Sequence, residues 1–187
     1  MLQVPLLIGG RSCPASDGRT FERRNPVSGE VVSQVAAASL ADADAAVAAA
    51  SAAFPAWAAL APSERRGRLL AGADLLQARA GEFIAAAGET GAMANWYAFN
   101  VKLAANMLRE AAAMTTQVTG EVIPSDVPGS FAMALRAPCG VVLGIAPWNA
   151  PVILATRAIA MPLACGNTVV LKASEQSPAV HRLIGQV

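Results

Sequence analysis

The spacing of hydrophobic and polar positions changes along the chain. From Pro5 to Ala38, short apolar runs alternate with turn residues. Leu6-Leu7-Ile8 closes on Gly9-Gly10, and Asn25-Pro26-Val27-Ser28-Gly29 separates Thr20-Phe21-Glu22 from Val31-Val32-Ser33-Gln34-Val35. This pattern predicts an N-terminal β arm over residues 1–38. From Ser39 the spacing turns helical. Ser39 is placed to cap a helix opening with Asp42 and Asp44, whose charges suit the positive end of its dipole. That alanine-rich run is expected to close around Phe54-Pro55. Further helices are predicted over Ser63–Arg79, Glu82–Glu89 and Met93–Thr119, making 39–120 a helical layer.

Composition shifts after Gly120. Pro124, Pro128 and Gly129 mark an extended crossover over 121–137, in which Phe131–Arg136 alternates as an exposed strand would. Val141–Ile145 then predicts a buried parallel strand, Pro151–Ala164 a helix with proline in its first turn, and Thr168–Leu171 the next strand. Ser177-Pro178 opens a last helix. Residues 138–187 thus predict the first βαβ unit of a doubly wound, Rossmann-like sheet, and the fold class is α/β. A sheet that stops there leaves strands without neighbours, so a truncated domain is expected.

The chain has 187 residues, 55% of them hydrophobic and only 14% charged, against about 25% charged in an ordinary soluble domain. Much of it is therefore expected to be buried, in itself or against something else. With 14 basic and 13 acidic residues and no basic stripe, nucleic acid is not an expected partner. Ala137 to Leu171 carries one charge, Arg157, but its prolines, glycines and asparagines cut it into pieces too short to span a bilayer. No membrane partner is expected. Cys13, Cys139 and Cys165 fit no disulfide or metal-knuckle spacing, and the apolar N-terminus lacks a basic region before it. A reducing, cytoplasmic location and no metal site are the expectations.

The residues that carry chemistry lie in two segments. One is Gly144-Ile145-Ala146-Pro147-Trp148-Asn149-Ala150-Pro151; the other runs Ala164-Cys165-Gly166-Asn167-Thr168-Val169-Val170-Leu171-Lys172-Ala173-Ser174-Glu175. Together they strongly resemble the aldehyde dehydrogenase superfamily, whose P-W-N and G-N-T-V-V-x-K-x-[AS]-E segments end successive nucleotide-binding strands. The resemblance extends more loosely to Asn25-Pro26…Gly29-Glu30 and Glu89-Thr90-Gly91. Through Gly120-Glu121-Val122-Ile123-Pro124-Ser125 and Trp148-Asn149-Ala150-Pro151 it is most similar to the aromatic-aldehyde branch, of the salicylaldehyde and vanillin dehydrogenase type.

That resemblance implies an NAD-dependent oxidation of an aldehyde to an acid through a thiohemiacetal. Attack of a thiolate on the aldehyde creates an oxyanion, and a preorganised donor for it is worth about 3–4 kcal/mol. Asn149 is implied as that donor; the alternative is that it only caps the following helix. Ile145, Ala146, Pro147 and Trp148 are expected to line the cofactor cleft together with Asn149. Lys172, Ala173, Ser174 and Glu175 are expected at the adenosine ribose, where Glu175 would repel a 2′-phosphate and favour NAD over NADP. Arg157, the lone charge of its stretch, falls near one helical face with Asn149 and Ile153. It lines either the substrate pocket, where it would meet a phenolate or carboxylate, or an interface. Leu103 and Met107 either wall the same tunnel or pack in the core.

The family's nucleophilic cysteine and general-base glutamate are expected on the order of a hundred residues beyond P-W-N, but only 38 residues follow Asn149. Neither they nor the glycine-rich pyrophosphate turn is expected within these residues. Cys165 is expected to act as a small hydrophobe, and His181 to sit exposed on the last helix. Two readings follow: the front portion of an aldehyde dehydrogenase that is a homo-oligomer acting on a small aldehyde, or a non-catalytic nucleotide-binding or interaction module.

Overall fold

The turn residues near the N-terminus fold the arm back on itself. It consists of β1 (Leu2–Val4), β2 (Leu6–Ile8), β3 (Arg11–Cys13), β4 (Thr20–Arg24) and β5 (Val31–Ala36). The structure, a computed structural model, describes all residues from Met1 to Val187. β2 and β3 pair antiparallel across Gly9 and Gly10, at φ 58° and 76°. A two-residue hairpin turn with both residues in the left-handed region selects glycine, since a Cβ would clash there. β5 is the middle strand of a second sheet, parallel to β1 and antiparallel to β4. The β4–β5 turn closes on Asn25, whose Oδ1 accepts the amides of Val27 and Ser28.

The helical layer begins with α1 (Leu40–Ala58). Its first turn is a reciprocal capping box: the Asp42 amide donates to the Ser39 hydroxyl and the Ser39 amide to the Asp42 carboxylate. Asp42 also accepts the Ser16 amide and so ties the arm to the helix. Asp44 is exposed and takes no part. The expected stop at Phe54-Pro55 does not occur, and Pro55 lies inside the helix. Proline removes one intrahelical bond, but the last turn is held from outside, where the Trp57 indole donates to the Leu163 carbonyl at 3.1 Å.

α2 (Pro62–Ala78), α3 (Ala80–Ala85), a 3-10 turn (Ala86–Glu89) and α4 (Ala94–Met114) follow. α4 stops short of the predicted Thr119, because the Thr115 hydroxyl bonds back to the Ala112 carbonyl at 2.9 Å and competes with continuation. Along α4, Tyr97, Val101, Ala104, Ala105, Leu108, Ala111 and Ala112 are buried, a three-and-four spacing that makes one stripe. Leu69, Ala73 and Leu76 of α2 pack against it in the main core. The alanines let the helices approach closely.

Beyond a hairpin of β6 (Glu121–Ile123) and β7 (Ala132–Ala134), β8 (Val141–Ile145) and β9 (Thr168–Lys172) run parallel, connected by α5 (Pro151–Ala164). α6 (Pro178–Ile184) follows β9. α5 covers one face of the strand pair and packs on α4, while α1 crosses the other face, mainly over β9. Gly144 permits the close approach of α5, because a Cβ there would stand 3.1 Å from the Ala158 Cβ. β8 is not the fully buried strand predicted: Leu143 is 62% and Ile145 67% exposed. It pairs with β9 on one edge and nothing on the other, whereas a parallel strand is buried only when flanked and covered on both sides. No helix is long and apolar enough to cross a membrane.

Candidate functional site at the strand ends

Register brings the two chemical segments together. Ile145 lies opposite Lys172 at the carboxyl ends of β8 and β9, and the Ala146 amide donates to the Lys172 carbonyl at 3.2 Å. The turn Pro147–Ala150 and the loop Ala173–Ser177 therefore leave the sheet side by side. In open α/β sheets such strand ends are where ligands bind. The entrances to both strands are fixed as well. Asn167 Oδ1 accepts the Cys139 and Gly140 amides, its Nδ2 donates to the Pro162 carbonyl, and Thr168 Oγ1 donates to the Ala50 carbonyl.

On the β8 side, Ala146 is buried, whereas Pro147, Trp148 and Asn149 are exposed. Trp148 is thus no core residue. The residue capping α5 is Ala150, and no side chain bonds to the helix start. Asn149 therefore does not serve as a side-chain cap. Its backbone carbonyl accepts the Trp96 indole N–H at 3.3 Å. Trp96 and Phe99 stack with ring centroids 5.6 Å apart, both partly exposed at the first turns of α4. Sequence reasoning missed this pair. The signal was two aromatics three residues apart near the start of an otherwise alanine- and leucine-rich helix, where exposure of large rings marks a contact surface.

On the β9 side, Lys172 Nζ stands 3.4 Å from Glu175 Oε2, and both side chains are more than half exposed. The Glu175 carboxyl is held below its usual range by its own backbone amide and by Lys172. Ser174 faces inward: its amide donates to His181 Nδ1 at 2.9 Å and its hydroxyl accepts the Gln176 amide. His181 is only 3% exposed, which overturns the expectation of an exposed residue. Its face of the short α6 turns toward α5, and burial pushes its pKa down to about 4. The imidazole is neutral at physiological pH, with Nδ1 as acceptor.

The four proposed pocket residues are less coherent. Leu103 and Met107 are half-buried on α4, Ile153 is buried and Arg157 is exposed. Asn149 precedes α5, so only Ile153 and Arg157 stand one turn apart on the same helical face, and there they differ in burial. Arg157 has no ion-pair partner among the salt bridges. Two cavities of about 530 and 450 Å³ are lined by other residues, the first by Arg136, Cys139 and Cys165, the second by Trp57, Leu76 and Thr156. All three cysteines are free thiols, Cys165 being the residue that ends α5.

Comparison with known proteins extends this picture over the whole chain. Residues 13–187 match the model of the aldehyde dehydrogenase family. The chain is 87% identical to a vanillin dehydrogenase of Pseudomonas fluorescens over 187 residues, all of this chain and 39% of that protein. It superposes with a TM-score of 0.96 and 48% identity on a salicylaldehyde dehydrogenase from Pseudomonas putida G7, solved in complex with salicylaldehyde. That match covers 100% of this chain and 39% of that one. An NADP-dependent enzyme from E. coli matches with a TM-score of 0.95 at 27% identity, over 99% of this chain and 39% of that one. The chain thus spans about two fifths of the length of these relatives. With its two strand-end segments paired and its full length aligned, this chain belongs to the aldehyde dehydrogenase family.

Proposed function

We propose that residues 1–187 form the front portion of an NAD-dependent enzyme that oxidises an aromatic aldehyde to its carboxylic acid. The overall change is aldehyde, water and NAD+ giving acid, NADH and a proton. The observation that carries this reading is the Ile145–Lys172 register, which sets Asn149 and the Lys172–Glu175 pair at one edge of the sheet. Within it, residues 1–38 act as the arm, 39–120 as the helical layer, 121–137 as the crossover and 138–187 as the first unit of the nucleotide-binding sheet.

The residues present fit an adenine dinucleotide. Lys172 and Glu175, exposed and within reach of each other, supply a cation and a carboxylate that together bond a ribose diol. Ile145, Pro147 and Trp148 offer apolar surface beside them, Ala146 closes the floor, and Ala173 and Ser174 shape the loop. A nicotinamide dinucleotide held there would supply the hydride acceptor of the oxidation. Asn149 has a side-chain amide uncommitted to the helix and serves as neutral donor to the oxyanion formed when a thiolate from outside residues 1–187 attacks the aldehyde. Glu175 sets the choice of NAD over NADP by opposing a 2′-phosphate.

The aromatic preference is supported by the vanillin and salicylaldehyde relatives and by the exposed Trp96–Phe99 stack beside Asn149. Leu103, Met107, Ile153 and Arg157 remain proposed pocket residues. The hairpin of β6 and β7, with Val122, Phe131, Met133 and Leu135 exposed, supports a homo-oligomer; the location proposed is the cytoplasm. The test is NADH formation by the complete protein containing these residues, on benzaldehyde, vanillin and salicylaldehyde. Turnover of aliphatic aldehydes alone would refute the aromatic assignment.

A further inference from the structure

The loop after Lys172, which carries Glu175, and the start of α6 behind it are held by two buried titratable side chains that are not among the proposed ligand contacts. Glu89, at the end of the 3-10 turn, is 1% exposed. Its carboxylate accepts the Ser33 hydroxyl at 2.6 Å, from the arm, and the Ala179 amide at 3.0 and 3.2 Å, from the start of α6. Arg23 does not pair with that carboxylate. Its Nε instead bridges the backbone carbonyls of Glu89 and Gln176, at 2.8 and 3.2 Å. Glu89 thus joins the β arm to the start of α6, directly after the loop, through hydrogen bonds alone, without an ion pair.

The second anchor is His181. Nδ1 accepts the Ser174 amide in the middle of the loop, while Nε2 has no hydrogen-bond partner, although the Pro151 carbonyl is close enough to favour a proton on the ring. Pro151 is the first residue of α5, directly after the Asn149 turn. His181 therefore sits between the loop after β9 and the turn after β8. A buried carboxylate without a cation costs free energy unless its hydrogen bonds are kept, so each of these contacts enforces one geometry.

We propose that Glu89 and His181 are positioning residues that together set the height and orientation of the loop 173–177, and through it the affinity for the adenosine ribose. This rests on the nucleotide reading above. Each acts through a backbone amide, Ala179 for Glu89 and Ser174 for His181.

The test measures NAD and AMP affinity by calorimetry, with KM for NAD and kcat, in the complete protein. Glu89→Ala and His181→Leu are each expected to weaken NAD and AMP binding about tenfold while kcat at saturating NAD changes less than threefold. Glu89→Gln and His181→Asn restore an acceptor at the same place and are expected to lie within about threefold of the parent. Leu69→Ala, a core change on α2, supplies a variant of lowered Tm with unchanged NAD affinity. Should either Glu89→Ala or His181→Leu fail to fold, the other of the two and Ser33→Ala, expected to weaken NAD at least fivefold, carry the decision. Unchanged NAD affinity in Glu89→Ala and His181→Leu, or affinities that fall only in step with Tm as set by Leu69→Ala, would overturn the proposal. A parent that binds NAD but oxidises no aldehyde would refute the functional reading and leave the affinity ratios to judge this one. A parent that binds neither NAD nor AMP would overturn both.

Discussion

The Trp96 indole N–H donates to the backbone carbonyl of Asn149 at 3.3 Å, tying the first turn of α4 to the turn after β8. The bond fixes the Asn149 backbone while its side-chain amide is spared from capping α5. A preorganised donor lowers a barrier because its orientation is settled before charge develops. In the complete protein, Asn149→Ala is expected to lower kcat by roughly 10²–10³ with NAD affinity little changed. A kcat within threefold of the parent would remove Asn149 from the oxyanion role.

In the proposed reading Glu175 sets the nucleotide choice; its exposed carboxyl is held below its usual range by its own amide and Lys172. Glu175→Gln removes the charge but keeps a hydrogen-bonding side chain. The ratio of kcat/KM for NAD to that for NADP is expected to fall by about tenfold or more, on the order of 1.4 kcal/mol. An unchanged ratio would mean that Glu175 does not face the ribose.

What the sequence disclosed and what it hid divide by range. The strand-helix-strand unit was legible because Val141–Ile145, Pro151–Ala164 and Thr168–Lys172 are bounded by strong punctuation: Pro147, Pro151 and Gly166. Gly166, at φ 86°, supports the turn that ends α5. The Ser39 cap was legible for the same local reason. His181 was misread because the exposure of a lone polar residue on a short helix is decided by what packs on it, here α5 and the Ser174 amide. In the sequence Glu89 stands out only within Glu89-Thr90-Gly91. Its partners, Ser33 and Ala179, lie far away in sequence, and nothing in local spacing announces them. Pro55 was read as a stop because its tertiary support, the Trp57–Leu163 bond, spans half the chain.

Burial pushes the Glu89 carboxyl up to about 7, against the opposing pull of the Ser33 hydroxyl, the Ala179 and Val180 amides and the positive charge of Arg23. Tyr97, raised by burial and by Glu89, is the other titratable group against it. A folded-state pKa above the ordinary 4.5 means that the fold binds this proton more tightly than the unfolded chain does. The stabilisation is complete below about 4.5 and is lost as pH climbs through about 7. His181 works the other way: its lowered value contributes stability above about 6.5 that is lost as pH falls through about 4. Lys172 and the Pro151 carbonyl are its polar surroundings beyond Ser174. Thermal unfolding of the complete protein between pH 5 and 8 should therefore show Glu89→Gln gaining on the parent as pH rises, by about 2–3 kcal/mol. Parallel curves would mean that Glu89 is ionised throughout.

Residues 1–187 expressed by themselves carry a surface that their own fold does not cover. Only 41 of 187 residues are buried, and the accessible area is 10247 Å². A compact monomer of 19.0 kDa is expected to expose about 8,400 Å². The excess, about 1,800 Å² on this chain alone, is more than the roughly 800 Å² that one partner gives to a standard protein interface. Much of it is apolar: Leu143 and Ile145 on the free side of β8, and Val122, Phe131, Met133 and Leu135 on the β6–β7 hairpin. The edge of β8 adds unpaired backbone groups able to recruit another strand. Residues 1–187 alone are expected to elute from size exclusion as soluble aggregates, to bind a hydrophobic dye and to oxidise no aldehyde. The last point follows because none of Cys13, Cys139 and Cys165 lies in the turns after β8 and β9. A monomeric elution profile with aldehyde oxidation abolished by alkylating one of these thiols would place the nucleophile within these residues and overturn the two-part reading of the site.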